Sequence, residues 1–123
     1  MGAQSRVLVV DDDAGIRETM SDILELEGYS VDCAEDGNRA VECIQGTGYQ
    51  VVLLDMRMPG MDGLETLRAI KQLSPTTRVI IITGFEVGER ARKALDEGAE
   101  ALFRKPLDVA TFLPVLLATA AAE

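Results

Sequence analysis

The stretch from Val51 to Gly63 reads VVLLDMRMPGMDG. Four apolar residues run without a break, a carboxylate follows at Asp55, and Pro59, Gly60 and Gly63 are turn formers. An unbroken apolar run suits a strand buried on both faces, as in a parallel sheet covered by helices; a half-exposed strand would alternate apolar with polar. The same pattern recurs on either side, at Arg6–Val10 (RVLVV) and Arg78–Thr83 (RVIIIT), and more weakly at Ser30–Ala34 and Ala101–Arg104.

Amphipathic segments fill the gaps. Ile16, Met20, Ile23 and Leu24 recur at helical spacing and stop at Gly28. Ala40, Val41 and Ile44 end at Gly46, and Leu64, Leu67 and Ile70 end before Pro75. Ala91, Ala94 and Leu95 end at Gly98, and Phe112, Leu113, Leu116 and Leu117 form the last stripe. Pro114 falls inside that stripe, so the last helix is expected to kink there or to begin near Thr111. The order βαβαβαβαβα predicts an α/β fold, a doubly wound sheet of five strands with five helices on its two faces. No linker, repeat or low-complexity tract interrupts residues 1–123, so one domain is expected.

Composition narrows the function. The 123 residues are 47% hydrophobic and 27% charged, a globular balance. Twenty-one acidic residues against 12 basic ones leave a net charge of −9. That argues against a nucleic-acid surface or an anionic membrane surface, both of which need clustered Lys and Arg. The chain has no His, and Cys33 and Cys43 form no CxxC, which excludes zinc fingers, His-ligated haem, Ser-His-Asp triads and Cys-His nucleophiles. No apolar run reaches the length of a membrane span, and two cysteines without a secretory signal point to reduced thiols in the cytoplasm.

In an open α/β sheet, ligands bind beyond the carboxyl ends of the strands. Those positions hold Asp11, Asp12 and Asp13, then Asp55, then Thr83 before Gly84, then Lys105 before Pro106. Taken singly each has a plain explanation: an Asp after a strand is often a helix cap, which is the role expected of Asp13. Together they are hard oxygen ligands, a hydroxyl and an ammonium on one edge. Asp11, Asp12 and Asp55 without His or Cys select Mg²⁺, or Mn²⁺, over zinc or copper. Lys105 offers a point charge to a phosphate and Thr83 a hydroxyl donor. A carboxylate can itself be a nucleophile, so the set reads as Mg²⁺-assisted phosphoryl transfer onto Asp55.

The motifs Val9-Val10-Asp11-Asp12, Leu54-Asp55-Met56-Arg57-Met58-Pro59-Gly60-Met61-Asp62-Gly63, Ile82-Thr83-Gly84 and Arg104-Lys105-Pro106 resemble the receiver domain of two-component response regulators. The resemblance spans nearly the whole chain. It implies a flavodoxin-like sheet of order 2-1-3-4-5 and a phosphorylation switch rather than a turnover enzyme. It implies that Asp55 is the phosphoacceptor, that Asp11, Asp12, Asp55 and the backbone carbonyl of Arg57 hold Mg²⁺, that Thr83 and Lys105 meet the phosphoryl group, and that the Lys105–Pro106 peptide is cis. The implied donor is a sensor histidine kinase or a histidine phosphotransfer protein. The implied output or homodimer face is the fourth helix, fifth strand and fifth helix, with Glu86, Glu89, Arg90, Arg92 and Lys93 as charged contributors. No output segment is recognised in these residues.

Some positions depart from the family pattern or vary within it. Leu102 stands where the family often has a switching Tyr or Phe, and strand alternation sends Phe103 to the opposite face. Gly84 leaves space beside Thr83. Arg57 and Phe85, each two residues after a key side chain, are expected to tune phosphate lifetime. Three alternatives compete. A haloacid-dehalogenase-type aspartyl phosphatase needs DxDxT after its first strand, but Gly15 stands where Thr is required. A flavodoxin would place FMN phosphate where three aspartates now stand. A degenerate receiver would act only as an interaction module, which the full set of side chains argues against.

Overall fold

The apolar runs become five strands: β1 (Arg6–Val10), β2 (Ser30–Ala34), β3 (Val51–Asp55), β4 (Arg78–Thr83) and β5 (Ala101–Arg104). They alternate with α1 (Ala14–Leu26), α2 (Gly37–Gly46), α3 (Gly63–Leu73), α4 (Glu89–Asp96) and α5 (Val109–Ala121). This computed structural model describes residues 5–58, 60–84, 88–106 and 108–121. All strand pairs are parallel and the sheet order is β2-β1-β3-β4-β5, the flavodoxin-like doubly wound arrangement. β3 extends one residue beyond the apolar run, because Asp55 still pairs with Ile82 of β4.

The absence of alternation in the central strands is explained by two cores. Leu8, Val10, Val52, Leu54, Val79 and Ile81 face a layer built on α2, α3 and α4. Val7, Val9, Val51, Leu53, Ile80 and Ile82 face a layer built on α1 and α5. Each fully buried side chain of this size contributes about 1.5–3 kcal/mol relative to exposure. Alternation in β5 splits its pair as expected: Leu102 packs toward the first layer, while Phe103 meets Phe112 of α5 edge to face, with ring centroids 5.2 Å apart.

Asp13 caps α1, accepting from the N–H groups of Gly15 and Ile16. Of the two courses expected for the last helix, the later start near Thr111 is not the one taken: the helix begins at Val109 and carries Pro114 inside it. Asp108 explains the earlier start, since its carboxylate accepts from the Ala110 N–H and the Thr111 hydroxyl. Leu95, expected to be a core residue, is 38% exposed; Ala91 and Ala94 anchor α4 instead. Among the described residues, no helix is long and apolar enough to cross a membrane.

Candidate functional site

The sheet topology delivers the ends of β1, β3, β4 and β5 to one edge. Asp11 and Asp55 are almost fully buried there, at 2% and 3% exposure, and Asp12 is exposed. One carboxylate oxygen from each of Asp11, Asp12 and Asp55 lies within 4.8 Å of the others. Lys105 reaches in from the end of β5. Its Nζ is 2.8 Å from Asp11 Oδ2 and 3.6 Å from Asp55 Oδ2. Buried Asp11 Oδ2 has this ammonium as its counter-charge and no other partner among the described residues. Asp11 Oδ1 accepts from the Asp13 N–H at 3.0 Å, and Asp55 Oδ1 accepts from the Arg57 N–H at 3.2 Å.

The electrostatics follow from this crowding. Burial first, and the charge of Asp11 second, push the Asp55 carboxyl up to about 6; the Arg57 N–H and Lys105 pull it back. Burial alone would lower the Lys105 ammonium, but the neighbouring carboxylates of Asp11, Asp55 and Asp12 outweigh it and hold it above its ordinary value. Three carboxylates that bring oxygens this close together, with Asp11 Oδ2 buried among them, suit a hard divalent cation that takes oxygen ligands.

The turn after β3 is shaped by two glycines. Gly60 has φ of +77°, a conformation that side chains rarely adopt. At Gly63 an added Cβ would stand 2.6 Å from Met56 Cα and 2.9 Å from the Asp55 carbonyl oxygen, so the start of α3 presses directly on the end of β3. Pro59, also assigned to this turn, lies outside the described residues.

The remaining expected positions are placed as follows. Thr83 is buried at 3% exposure at the end of β4, and its carbonyl accepts from the Lys105 N–H at 2.7 Å. A Cβ at Gly84 would sit 3.7 Å from Lys105 Cδ, in ordinary contact. The Lys105–Pro106 peptide is cis. The Arg57 side chain is exposed. Phe85 and Glu86 lie outside the described residues. Arg90 is not simply a free surface charge of α4: its guanidinium pairs with Asp62, the N-cap of α3, at 2.6 Å. Two contributors are absent from the sequence reading. Asp62 joins the turn after β3 to α4 through that pair. Arg17 donates from Nη1 to the Asp11 carbonyl at 2.8 Å. The first could have been sought from an Asp followed three residues later by Glu65, a capping-box signature. The second has no sequence signal, because its acceptor is main chain.

Fold and edge together define a class: a doubly wound, flavodoxin-like domain with an all-oxygen acidic site and a lysine at the carboxyl ends of its strands. A family model for the response regulator receiver domain matches residues 7–116, and the chain belongs to that family. Sporulation initiation phosphotransferase F of Bacillus subtilis is 36% identical over 104 residues, covering 85% of this chain and 84% of that protein. The regulatory protein AtoC of Escherichia coli is 36% identical over 109 residues, 89% of this chain but 24% of that protein. A cyclic di-GMP phosphodiesterase of Thermotoga maritima is likewise matched over 27% of its length, so the chain spans about a quarter of these two longer relatives. Among solved structures, a CheY-like receiver domain protein of Methanospirillum hungatei superposes with a TM-score of 0.92 at 30% identity, covering 96% of this chain and 94% of that one. Receiver domains bind Mg²⁺ through an acidic pocket and pair with histidine kinases or phosphotransfer proteins.

Proposed function

We propose that this chain is a phosphorylation switch in which Asp55 takes a phosphoryl group from a phosphohistidine. The observation that supports this most is the buried Asp55 carboxylate, set among Asp11, Asp12 and the Lys105 ammonium at the end of β3. In the transfer, an Asp55 carboxylate oxygen forms a bond to phosphorus as the phosphorus–nitrogen bond breaks, and the departing imidazole takes up a proton. Asp55 must be ionised to attack, and the Lys105 charge favours that form. The transferred group spreads negative charge over its oxygens, and Lys105, the Thr83 hydroxyl and main-chain N–H groups answer it.

Asp11, Asp12, Asp55 and the backbone carbonyl of Arg57 would hold Mg²⁺, whose chemistry is to neutralise carboxylate and phosphoryl oxygens. The donor is a sensor histidine kinase or a histidine phosphotransfer protein in the cytoplasm. Residues 1–123 act as one receiver unit, and the consequence is read on the face of α4, β5 and α5 by an output domain, a partner or a second copy.

Acetyl phosphate with Mg²⁺ tests this reading. The wild type is expected to gain one phosphoryl mass, and none when the metal is chelated before the donor is added. Asp55→Asn is expected to gain none, because an amide is not a nucleophile of this kind. Continuous release of phosphate from a general phosphate ester would instead support a phosphatase. No modification of wild type would support a degenerate receiver that acts only by binding.

A further inference from the structure

Arg17 stands in a dense acidic stretch, six residues after Asp11 and four after Asp13. A guanidinium among carboxylates ordinarily pairs with one of them, often through two parallel bonds. Among the described residues Arg17 makes no ion pair; its Nη1 donates to the backbone carbonyl of Asp11 at 2.8 Å. That carbonyl belongs to the peptide joining Asp11 to Asp12. Fixing it sets the plane of that peptide, and with it the direction in which Asp12 leaves the main chain. The rest of Asp11 is already fixed: its N–H donates to Ala34 and its Oδ1 accepts from Asp13. Arg17 is itself set by the first turn of α1, where its own N–H donates to the Asp13 carbonyl at 3.1 Å.

We propose that Arg17 is a positioning residue for divalent-cation binding, holding the Asp11–Asp12 peptide so that both carboxylates converge on one ion. This rests on the reading that Asp11, Asp12 and Asp55 form the cation site. Arg17 does not touch the ion; it acts through the main chain.

Two effects of the guanidinium oppose each other. Its positive charge repels a cation, so removing it should tighten binding if charge were all that mattered. Its hydrogen bond preorganises the ligands, so removing it should weaken binding, about tenfold for such a supporting contact. The sign of the change separates the two.

The test is an amide NMR titration with MgCl₂, since the chain has no Trp to report quenching. Arg17→Met keeps the stem and loses the donor; about tenfold weaker Mg²⁺ binding is expected. An Arg17→Met variant as tight as wild type or tighter overturns the proposal. A second measurement uses wild type alone. By linkage, the ion must strengthen the Arg17 bond as much as the bond strengthens ion binding. Exchange of the Arg17 guanidinium protons should therefore slow on saturation with Mg²⁺, and an unchanged rate overturns the proposal. Unchanged Mg²⁺ affinity in Asp12→Ala overturns the cation site itself, which is a different failure.

Discussion

Asp55 is both the proposed nucleophile and a liability to the metal-free fold. Its carboxyl is pushed up to about 6 by burial and by Asp11, whereas an Asp in the unfolded chain titrates near its ordinary value of about 3.9. Between those values the folded chain binds more protons, so the contribution of Asp55 to stability falls as pH rises from about 4 through 6 and stays unfavourable above. In chelator at pH 7, Asp55→Asn should therefore raise stability by about 1–3 kcal/mol, and the gain should shrink toward pH 4. Denaturant melts of both proteins at the two pH values measure this. A gain that grows on acidification, or a loss at pH 7, would contradict the electrostatic picture. Residue identity was legible here because the chemistry sits in side chains at strand ends. Asp11, Asp12, Asp55, Thr83 and Lys105 could each be named from spacing. The Arg17 contact could not, since a main-chain carbonyl leaves no mark in a sequence.

The fourth helix is lightly held. It has eight residues, buries only Ala91 and Ala94, and starts at Gly88, which supplies no side-chain cap. Charged pairs fasten it to α3 at both ends: Arg90 to Asp62 at 2.6 Å, and Arg68 to Glu97 through two contacts of 2.8 Å. Asp62 also caps α3 next to Gly63, whose backbone presses on the end of β3. Asp62→Asn keeps a good cap but loses the charge that Arg90 pairs with. Exposed pairs are worth about 0.2–1 kcal/mol, so hydrogen exchange in residues 92–98 should quicken about two- to fivefold, and high salt should erase the difference. Faster exchange confined to α3, or none in α4, would show that the pair does not fasten the helix. Element types were readable because three central strands are unbroken apolar runs and the helices carry apolar stripes. The start of α5 was left open by the sequence, because Pro114 allows either a kink within the helix or a start near Thr111; the cap that sets it is Asp108. The two faces of β5 followed from alternation alone, with Leu102 and Phe103 on opposite sides.

At the scale of the molecule, the switch must move a population. Going from about 1:99 to 99:1 takes roughly 5.5 kcal/mol of differential interaction, and one hydrogen bond to a charged group contributes about 1.5–3. The Thr83 hydroxyl can supply one such bond to a phosphoryl oxygen, and the Lys105 ion pair must provide much of the rest. Leu102 has no hydroxyl and less area to bury than the aromatic ring the family often places there. The response should thus lean on α4. Beryllofluoride, a mimic of the phosphoryl group, should change hydrogen exchange in residues 88–98 and around Lys105, and less so in Thr83→Ala. Equal responses in the two proteins would remove Thr83 from the switch. The strand order 2-1-3-4-5 followed only from the family resemblance, whereas a doubly wound sheet was legible, because alternating strand and helix patterns leave few right-handed arrangements. The packing gap that separates the two states was not, because it is a difference between two structures of one sequence.

The central claim is that Asp55, among all 21 acidic residues, carries the phosphoryl group, and chemical trapping tests it most directly. Borohydride reduces an aspartyl phosphate to homoserine, which peptide mass mapping locates. After treatment with acetyl phosphate and Mg²⁺, homoserine should appear at position 55 and nowhere else, and should vanish when the metal is chelated. Homoserine at position 11 or 12, or a phosphoryl group that survives acid on a hydroxyl residue, would contradict the account.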